Sequence, residues 1–218
     1  MDVEATKGVV EGLSMLLAPL LLLVGFAIHP PEPMSGGEAL EVIVDDPGRW
    51  NAAHIAFSFG MALSIPAVGG LVRLLGNRGA WFGFIGGLLA AVGVVFFGVF
   101  LGAELAMSAM ASGPVERYGG LELGMQALVD LQGALPVVFL GLSLNLGLIV
   151  LATGLFVTRV VPRWRSVAIA GASLVLVGGV FSNPIGAVGA AVLLVSLGAI
   201  SLQVLRLDRQ TSRPDRKQ

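Results

Sequence analysis

The chain contains apolar runs that are long enough to cross a lipid bilayer. Residues 80–103, AWFGFIGGLLAAVGVVFFGVFLGA, hold no charged side chain. A transmembrane helix needs about 20 consecutive apolar residues. Only 12% of the whole chain is charged, whereas soluble domains carry roughly a quarter. The sequence therefore predicts an all-α integral membrane protein in contact with the lipid bilayer.

Six apolar runs are predicted to form one transmembrane domain over residues 1–205. A basic cytoplasmic tail follows at 206–218. The six predicted spans are 9–29, 51–75, 80–103, 135–157, 164–181 and 185–205.

The distribution of positive charge predicts the orientation. With both termini in the cytoplasm, only Arg49 and Arg117 of the 13 lysines and arginines fall in outer loops. Cytoplasmic segments of membrane proteins are enriched in lysine and arginine. We therefore expect a multi-pass protein of a bacterial plasma membrane with cytoplasmic N- and C-termini.

Two longer outer segments, 30–50 and 104–134, are predicted to form a cap on the outer face. The third span can continue as a helix to Ser112, and a helix can restart near Leu121. Because that second helix would be longer than the membrane is thick, it is expected to tilt or protrude, with a kink at Pro136.

The stretch GGEALEVIVDDPGRW predicts a short helix on the outer membrane face. Its apolar residues Leu40, Ile43 and Val44 would face lipid or protein. Residues 47–48, Pro-Gly, would end it. Trp50 would mark the return at the interface, where tryptophan is enriched.

Four ionisable residues are predicted to lie on the outer side: His29, His54, Glu104 and Asp130. Such groups in or near spans are functional hypotheses by default, because they are costly there. No equivalent group is expected on the inner side.

Two imidazoles and two carboxylates suit a divalent metal such as zinc, iron or manganese. Two histidines alone could ligate haem instead. Methionines in the same segments, Met107 among them, would suit copper(I), although packing is the simpler interpretation. The spacings match no established metal motif.

A ligand pocket beside these residues would be lined by Trp50, Met107 and Gln126, with Asn145 deeper in the fourth span. Asn145 is the polar residue nearest the centre of a span. An interhelical hydrogen bond is its simpler role, and lining a transport path is the alternative.

Several enzyme classes are excluded or disfavoured. The chain has no cysteine, which removes thiolate metal sites and cysteine nucleophiles. It has no HExxH, GxSxG or phosphate-binding glycine motif. An enzyme is therefore less expected than a binding protein, and no nucleic-acid partner is expected.

Three short motifs resemble a broad group of uncharacterised multi-pass membrane proteins common in actinobacteria. They are FAIHP at 26–30, RWNAAHIAFSFGMALSIPAVGGLVRLL at 49–75 and VVPRW at 160–164. The resemblance implies a similar topology, and makes His29 and His54 features of the group. It implies no activity.

Three functions remain open at this point. The first is a membrane protein that binds a metal, haem or small polar ligand in an outward-facing histidine and carboxylate pocket. The second is a small transporter or channel that uses this pocket as its vestibule. The third is a scaffold or assembly subunit, with a homo-oligomer or another membrane protein as its partner.

Overall fold

The structure is a computed structural model that describes residues 3–31, 33, 35–112, 118–133, 135–179 and 182–211. These residues are almost entirely helical and include no strand. The predicted all-α class is therefore confirmed. The helices are α1 (Val3–Ile28), α2 (Gly36–Asp45), α3 (Pro47–Leu75), α4 (Ala80–Ala111), α5 (Tyr118–Gly133), α6 (Leu135–Thr158), α7 (Arg163–Gly178) and α8 (Asn183–Thr211), with a 3-10 turn at Gly76–Gly79.

Four stretches of the described chain are long and apolar enough to cross a membrane. They are Thr6–Ile28, Pro47–Ala111, Leu140–Thr158 and Asn183–Leu205. The second contains both α3 and α4, which fold back on each other across the 3-10 turn. By their length and composition, these stretches are compatible with a membrane protein. Helix α7 has 16 residues, fewer than the usual transmembrane length of about 20.

The long helices form one bundle. Helix α1 packs against α3 and α8, α4 packs against α3 and α6, and α7 joins α6 to α8. The shared core contains large apolar side chains such as Leu71, Leu151 and Ile200. Other apolar side chains point outward, as Phe84 and Val99 on α4 do. An apolar exterior of this kind suits a lipid environment.

Glycine allows α4 and α6 to approach closely. A Cβ atom on Gly86 would lie 2.9 Å from the carbonyl oxygen of Gly147, and one on Gly147 would lie 2.5 Å from the amide nitrogen of Ala90. Small residues at helix contacts let backbones meet in membrane proteins. The close approach of α4 and α6 thus depends on Gly86 and Gly147.

Helices α2 and α5 form the cap on one end of the bundle. Its small core contains apolar residues from α2, α3, α4 and α5: Ala39, Leu40, Ile43, Trp50, Ala111, Leu121 and Met125. Ser35 caps α2 through its hydroxyl, which accepts from the amide of Glu38. The expected short helix is present, and its Leu40 and Ile43 face protein while Val44 is exposed.

The chain passes at Pro47 from one helix directly into the next. The short helix α2 ends at Asp45, just before Pro47 as predicted, but Pro47 also begins α3, with Asp46 as the N-cap that accepts from the amide of Arg49. Proline suits this first position because its missing N–H has no partner there anyway. The helix predicted to restart near Leu121 is described in two parts, α5 and α6. Residue 134 between them lies outside the described residues, so its continuity and the kink at Pro136 stay predictions.

The predicted tail is partly helical, because α8 continues to Thr211. Residues 212–218 lie outside the described residues, as does part of the second cap segment at 113–117.

Candidate functional site

His54 lies near the N-terminal end of α3 and has a polar partner at each ring nitrogen. Its Nδ1–H donates to the carbonyl of Trp50, one turn earlier, at 2.8 Å. Its Nε2 lies 3.1 Å from Oε2 of Glu104 near the end of α4. The His54 side chain is 2% exposed and the Glu104 side chain 22%. Antiparallel packing of α3 and α4 therefore produces the predicted histidine–carboxylate contact.

The partners of the two ring nitrogens of His54 determine what can lie between its Nε2 and the carboxylate of Glu104. A carbonyl accepts at Nδ1, so that nitrogen carries a proton. The neutral ring would then point the lone pair of Nε2 at the carboxylate. That contact is favourable only when a proton or another cation lies between Nε2 and Oε2. The His54–Glu104 pair is thus a site for one positive species.

His29 follows the last residue of α1 and is buried beside His54. The ring centroids of His29 and His54 are 5.1 Å apart. The Nδ1–H of His29 donates to the carbonyl of Pro30 at 2.7 Å. Burial, and then the nearby charge of His54, lower the pKa of His29 from 6.5 to about 4, although Pro30 and Glu104 act in the opposite direction.

Polar side chains from two other helices hold this end of α1. The Nε of Arg49 donates to the carbonyl of Ile28 at 2.6 Å. The amide Nδ2 of Asn183, at the start of α8, donates to the carbonyls of His29 and Pro30 at 3.2 and 2.7 Å. The last carbonyls of a helix lack partners within the helix, so these donors also fix the position of His29.

Aromatic rings surround the two histidines. Trp50 stacks on His54 with a centroid distance of 4.3 Å, and Phe57 lies 5.8 Å from His29. Trp50 is 3% exposed. The predicted role of Trp50 as an anchor in the membrane interface was therefore wrong, because its ring packs inside the protein against His54 and the cap.

Asp130 and Gln126 lie together on the cap helix α5. The amide Nε2 of Gln126 donates to Oδ1 of Asp130 at 2.8 Å, and its Oε1 accepts from the amide of Gly36 at 2.9 Å. Gln126 thus joins α5 to the start of α2. Asp130 is exposed and accepts this hydrogen bond from Gln126 on its own helix.

Of the four proposed metal ligands, the structure brings together His29, His54 and Glu104. Within the described part of the chain, no three histidine, aspartate or glutamate side chains already stand at metal-holding positions. Met107 packs against the cap core. Asn145 is buried in α6, where the neighbouring Ser143 donates to the carbonyl of Leu140.

A second buried ionic contact lies at the opposite end of α3. The Nε of Arg73 is 2.6 Å from Oε2 of Glu11, and the Glu11 side chain is 5% exposed. Sequence reasoning missed this pair. The signal was a glutamate inside an apolar run together with an arginine near the end of the next span, and the expectation that the inner side holds no such group was wrong.

Comparison of the chain with protein-family models, with curated proteins and with solved structures gave no match. The motif resemblance to actinobacterial membrane proteins therefore has no matching family model behind it.

Proposed function

We propose that this chain is a multi-pass protein of a bacterial plasma membrane that binds a divalent metal ion at its outer face. The ligands are His54, Glu104 and His29. The single observation that carries the proposal is the placement of the His54 ring between a backbone carbonyl and a carboxylate.

The contacts between helices support six crossings. Asn183, at the start of α8, contacts His29 at the outer end. Arg165, in the first turn of α7, donates to the carbonyl of Ala199 and to Gln203 near the other end of α8. Helix α7 thus extends between the two ends of the bundle despite its short length. With both termini inside, Glu11 and Arg73 mark the cytoplasmic end.

The hydrogen bonds of both histidines favour metal binding. Metal-ligating histidines almost always donate their other ring N–H to a carbonyl, carboxylate or water, which fixes the tautomer. His29 and His54 both do so through Nδ1. Each therefore keeps Nε2 as its coordinating atom. Two imidazoles and one carboxylate form a common ligand set for zinc and iron.

The distance at the His54–Glu104 pair is close to that of two ligands of one ion. Zinc bonds to nitrogen and oxygen are about 2.0–2.2 Å, so two ligand atoms of a tetrahedral ion lie roughly 3.3–3.5 Å apart. The separation of Nε2 and Oε2 is 3.1 Å. A small outward movement of Glu104 would admit the ion.

Haem fits these residues less well than a single ion. A bis-histidine haem needs a wide flat gap between the two imidazoles for the porphyrin ring. The rings of Trp50 and Phe57 pack around the histidines. This aromatic packing fills the plane that a porphyrin would need.

The test is elemental analysis of protein purified in mild detergent, followed by equilibrium dialysis with zinc, manganese or ferrous iron. We expect about one ion per chain. His54→Ala and Glu104→Gln should lose it, whereas Asp130→Asn, which changes an exposed carboxylate of the same cap, should retain it. Wild-type protein that binds none of these ions would refute the proposal.

A small transporter is the second candidate, because α3 carries a buried ionic contact at each end. Paired contacts of this kind could open in turn and admit a solute from either side, with the histidine site as vestibule and Asn145 on the path. Reconstituted vesicles should then show flux that Asn145→Leu reduces. Equal flux in the two proteins would exclude this role for Asn145.

A further inference from the structure

Two polar atoms next to the His54–Glu104 pair are buried without a hydrogen-bond partner among the described residues. They are the indole Nε1 of Trp50 and the hydroxyl of Ser108. Trp50 is 3% exposed and Ser108 1%. Leaving a buried donor unsatisfied costs about 1–3 kcal/mol. Two such buried donors near one ion pair therefore indicate a binding position for an acceptor.

The register of α3 and α4 places these groups in the same layer. Trp50 precedes His54 by four residues and Ser108 follows Glu104 by four residues. Because the helices are antiparallel and residues four apart share a face, Trp50 and Ser108 lie one turn, about 6 Å, outside the ion pair. Both positions border the cap core, which contains Trp50 itself and Ala111.

The hydroxyl of Ser108 differs from most buried serine hydroxyls in the bundle. Ser173 and Ser196 donate to carbonyls in their own helices, and Ser201 donates to the carbonyl of Gly12. A helical serine normally satisfies itself in this way when nothing better is near. In contrast, Ser108 makes no such bond, so its hydroxyl is free to bind something else.

We propose that Trp50 and Ser108 form a binding site for a single hydroxyl oxygen, supplied by a bound water or by a small alcohol. Indole N–H is only a donor, so the occupant must accept. A carboxylate or other anion would be repelled by Glu104, one turn away on the same face. A hydroxyl accepts from Trp50 and Ser108 and can donate its own proton towards Glu104.

This site goes beyond the proposed metal site and does not depend on it. Its groups are the indole of Trp50 and the hydroxyl of Ser108, and it can be observed in protein treated with a chelator. Its effect is to extend the polar layer from Glu104 outward into the cap.

The experiment is proton–nitrogen NMR of metal-free protein in micelles, with nitrogen-15 in the tryptophan indoles. The chain has three tryptophans, and the variants Trp81→Phe and Trp164→Phe assign the resonances. We expect the indole N–H of Trp50 to resonate downfield, as a hydrogen-bonded N–H does. Ser108→Ala should remove most of that shift, because Trp50 and Ser108 share one occupant.

The matched control is Ser112→Ala, because Ser112 is exposed and donates to the carbonyl of Ser108. It should leave the Trp50 resonance unchanged. An indole of Trp50 at the position of a free N–H in wild-type protein would overturn the proposal. So would a downfield resonance that Ser108→Ala does not move.

Two further measurements distinguish the sources of the hydroxyl. Magnetisation transfer from water to the Trp50 indole in exhaustively dialysed protein identifies a bound water. Transfer from carbon-bound protons, together with recovery of the compound by extraction and mass spectrometry, identifies an alcohol. Absence of both transfers would show that no hydroxyl is bound.

Discussion

At the scale of single residues, Glu104 supplies the polar partner of the buried Nε2 of His54. Replacing Glu104 with leucine would keep the contact of Nδ1 with the Trp50 carbonyl but would remove the carboxylate from the buried Nε2 of His54. We expect a loss of about 1–3 kcal/mol of stability. Glu104→Gln should lose much less, because its amide can donate to Nε2. Thermal unfolding in micelles measures the difference.

Glu41→Leu is the control for this pair of variants. It also replaces a glutamate at this end of the bundle with leucine, but Glu41 is exposed on α2. It should change the unfolding temperature little. If Glu104→Leu and Glu104→Gln unfold at the same temperature, Nε2 of His54 does not need a donor.

His29 should make the stability of metal-free protein depend on pH. Its pKa is lowered from 6.5 to about 4 in the folded protein. The unfolded chain therefore binds a proton at a pH where the folded protein does not. Stabilisation by the neutral ring is complete above pH 6.5 and is lost as the pH falls from 6.5 towards 4.

The measurement is the unfolding temperature between pH 7.5 and pH 4 for wild type and His29→Gln. Each protein's value at the lower pH is compared with its own value at pH 7.5. We expect the wild type to lose more stability than the variant across this range. His54, Glu104 and Arg49 face His29, and they remain in both proteins. Parallel curves would contradict the assignment to His29.

The cluster of His29, His54 and Glu104 could be predicted in part from the sequence. The predicted topology puts the end of α1, the start of α3 and the end of α4 at one level. The stacking of Trp50 on His54 could not, since the sequence does not show which face of α3 meets the cap. The Glu11–Arg73 contact depends on the rotation of α1 against α3, and the sequence contains no direct signal for this rotation.

At the scale of elements, the contact between α4 and α6 depends on the absence of side chains. Gly86→Val would place new atoms against the carbonyl of Gly147 and the amide of Leu151, which a Cβ would approach to 2.9 and 3.0 Å. Overpacking typically costs 1–3 kcal/mol, and more where only backbone can move. We expect a clearly lower unfolding temperature in detergent.

Gly102→Val is the matched control on the same helix, because a Cβ at Gly102 meets nothing within 4 Å. The two variants add the same group and change helix propensity equally. Equal destabilisation would show that propensity, rather than the approach to α6, determines the result.

The cap should depend on Ile43 far more than on its neighbour. Ile43 is 1% exposed in the small core between α2, α4 and α5, whereas Val44 is 41% exposed. Ile43→Ala should destabilise the cap by about 2–5 kcal/mol, and Val44→Ala should have little effect. Limited proteolysis from the outer side measures cap opening. Equal cleavage of the two variants would contradict this packing.

Most helices could be placed from their apolar runs alone, because α1, α3, α4, α6 and α8 each contain one. The start of α3 at Pro47 could not be placed in this way. Pro47 is compatible with either the end or the start of a helix, and only the N-cap contact of Asp46 decides between them.

At the scale of the whole molecule, the two buried ionic contacts of α3 indicate where the bilayer boundaries lie. His54 and Arg73 are 19 positions apart in the sequence, which corresponds to about 28 Å of helix. The hydrocarbon core of a bilayer is about 30 Å thick. Charged groups are far less costly near the boundaries than at the centre, so these contacts are expected at the two interfaces.

The six-crossing topology can be tested directly because the chain has no cysteine. Single substitutions Val44→Cys in the cap, Asn77→Cys in the 3-10 turn and Ser182→Cys before α8 occupy described positions outside the bundle core. In intact cells, a membrane-impermeant maleimide should label the first and third variants but not the second. Permeabilised cells should show labelling of Asn77→Cys.

The Ser182 variant distinguishes six crossings from fewer, because it tests whether the short helix α7 crosses. If α7 crosses, the turn before α8 lies outside, beside the His29 carbonyl to which Asn183 donates. If α7 stays on the cytoplasmic surface, Ser182→Cys would react only after permeabilisation. Six crossings would then be wrong, and Asn183 could not hold the outer end of α1 in the membrane.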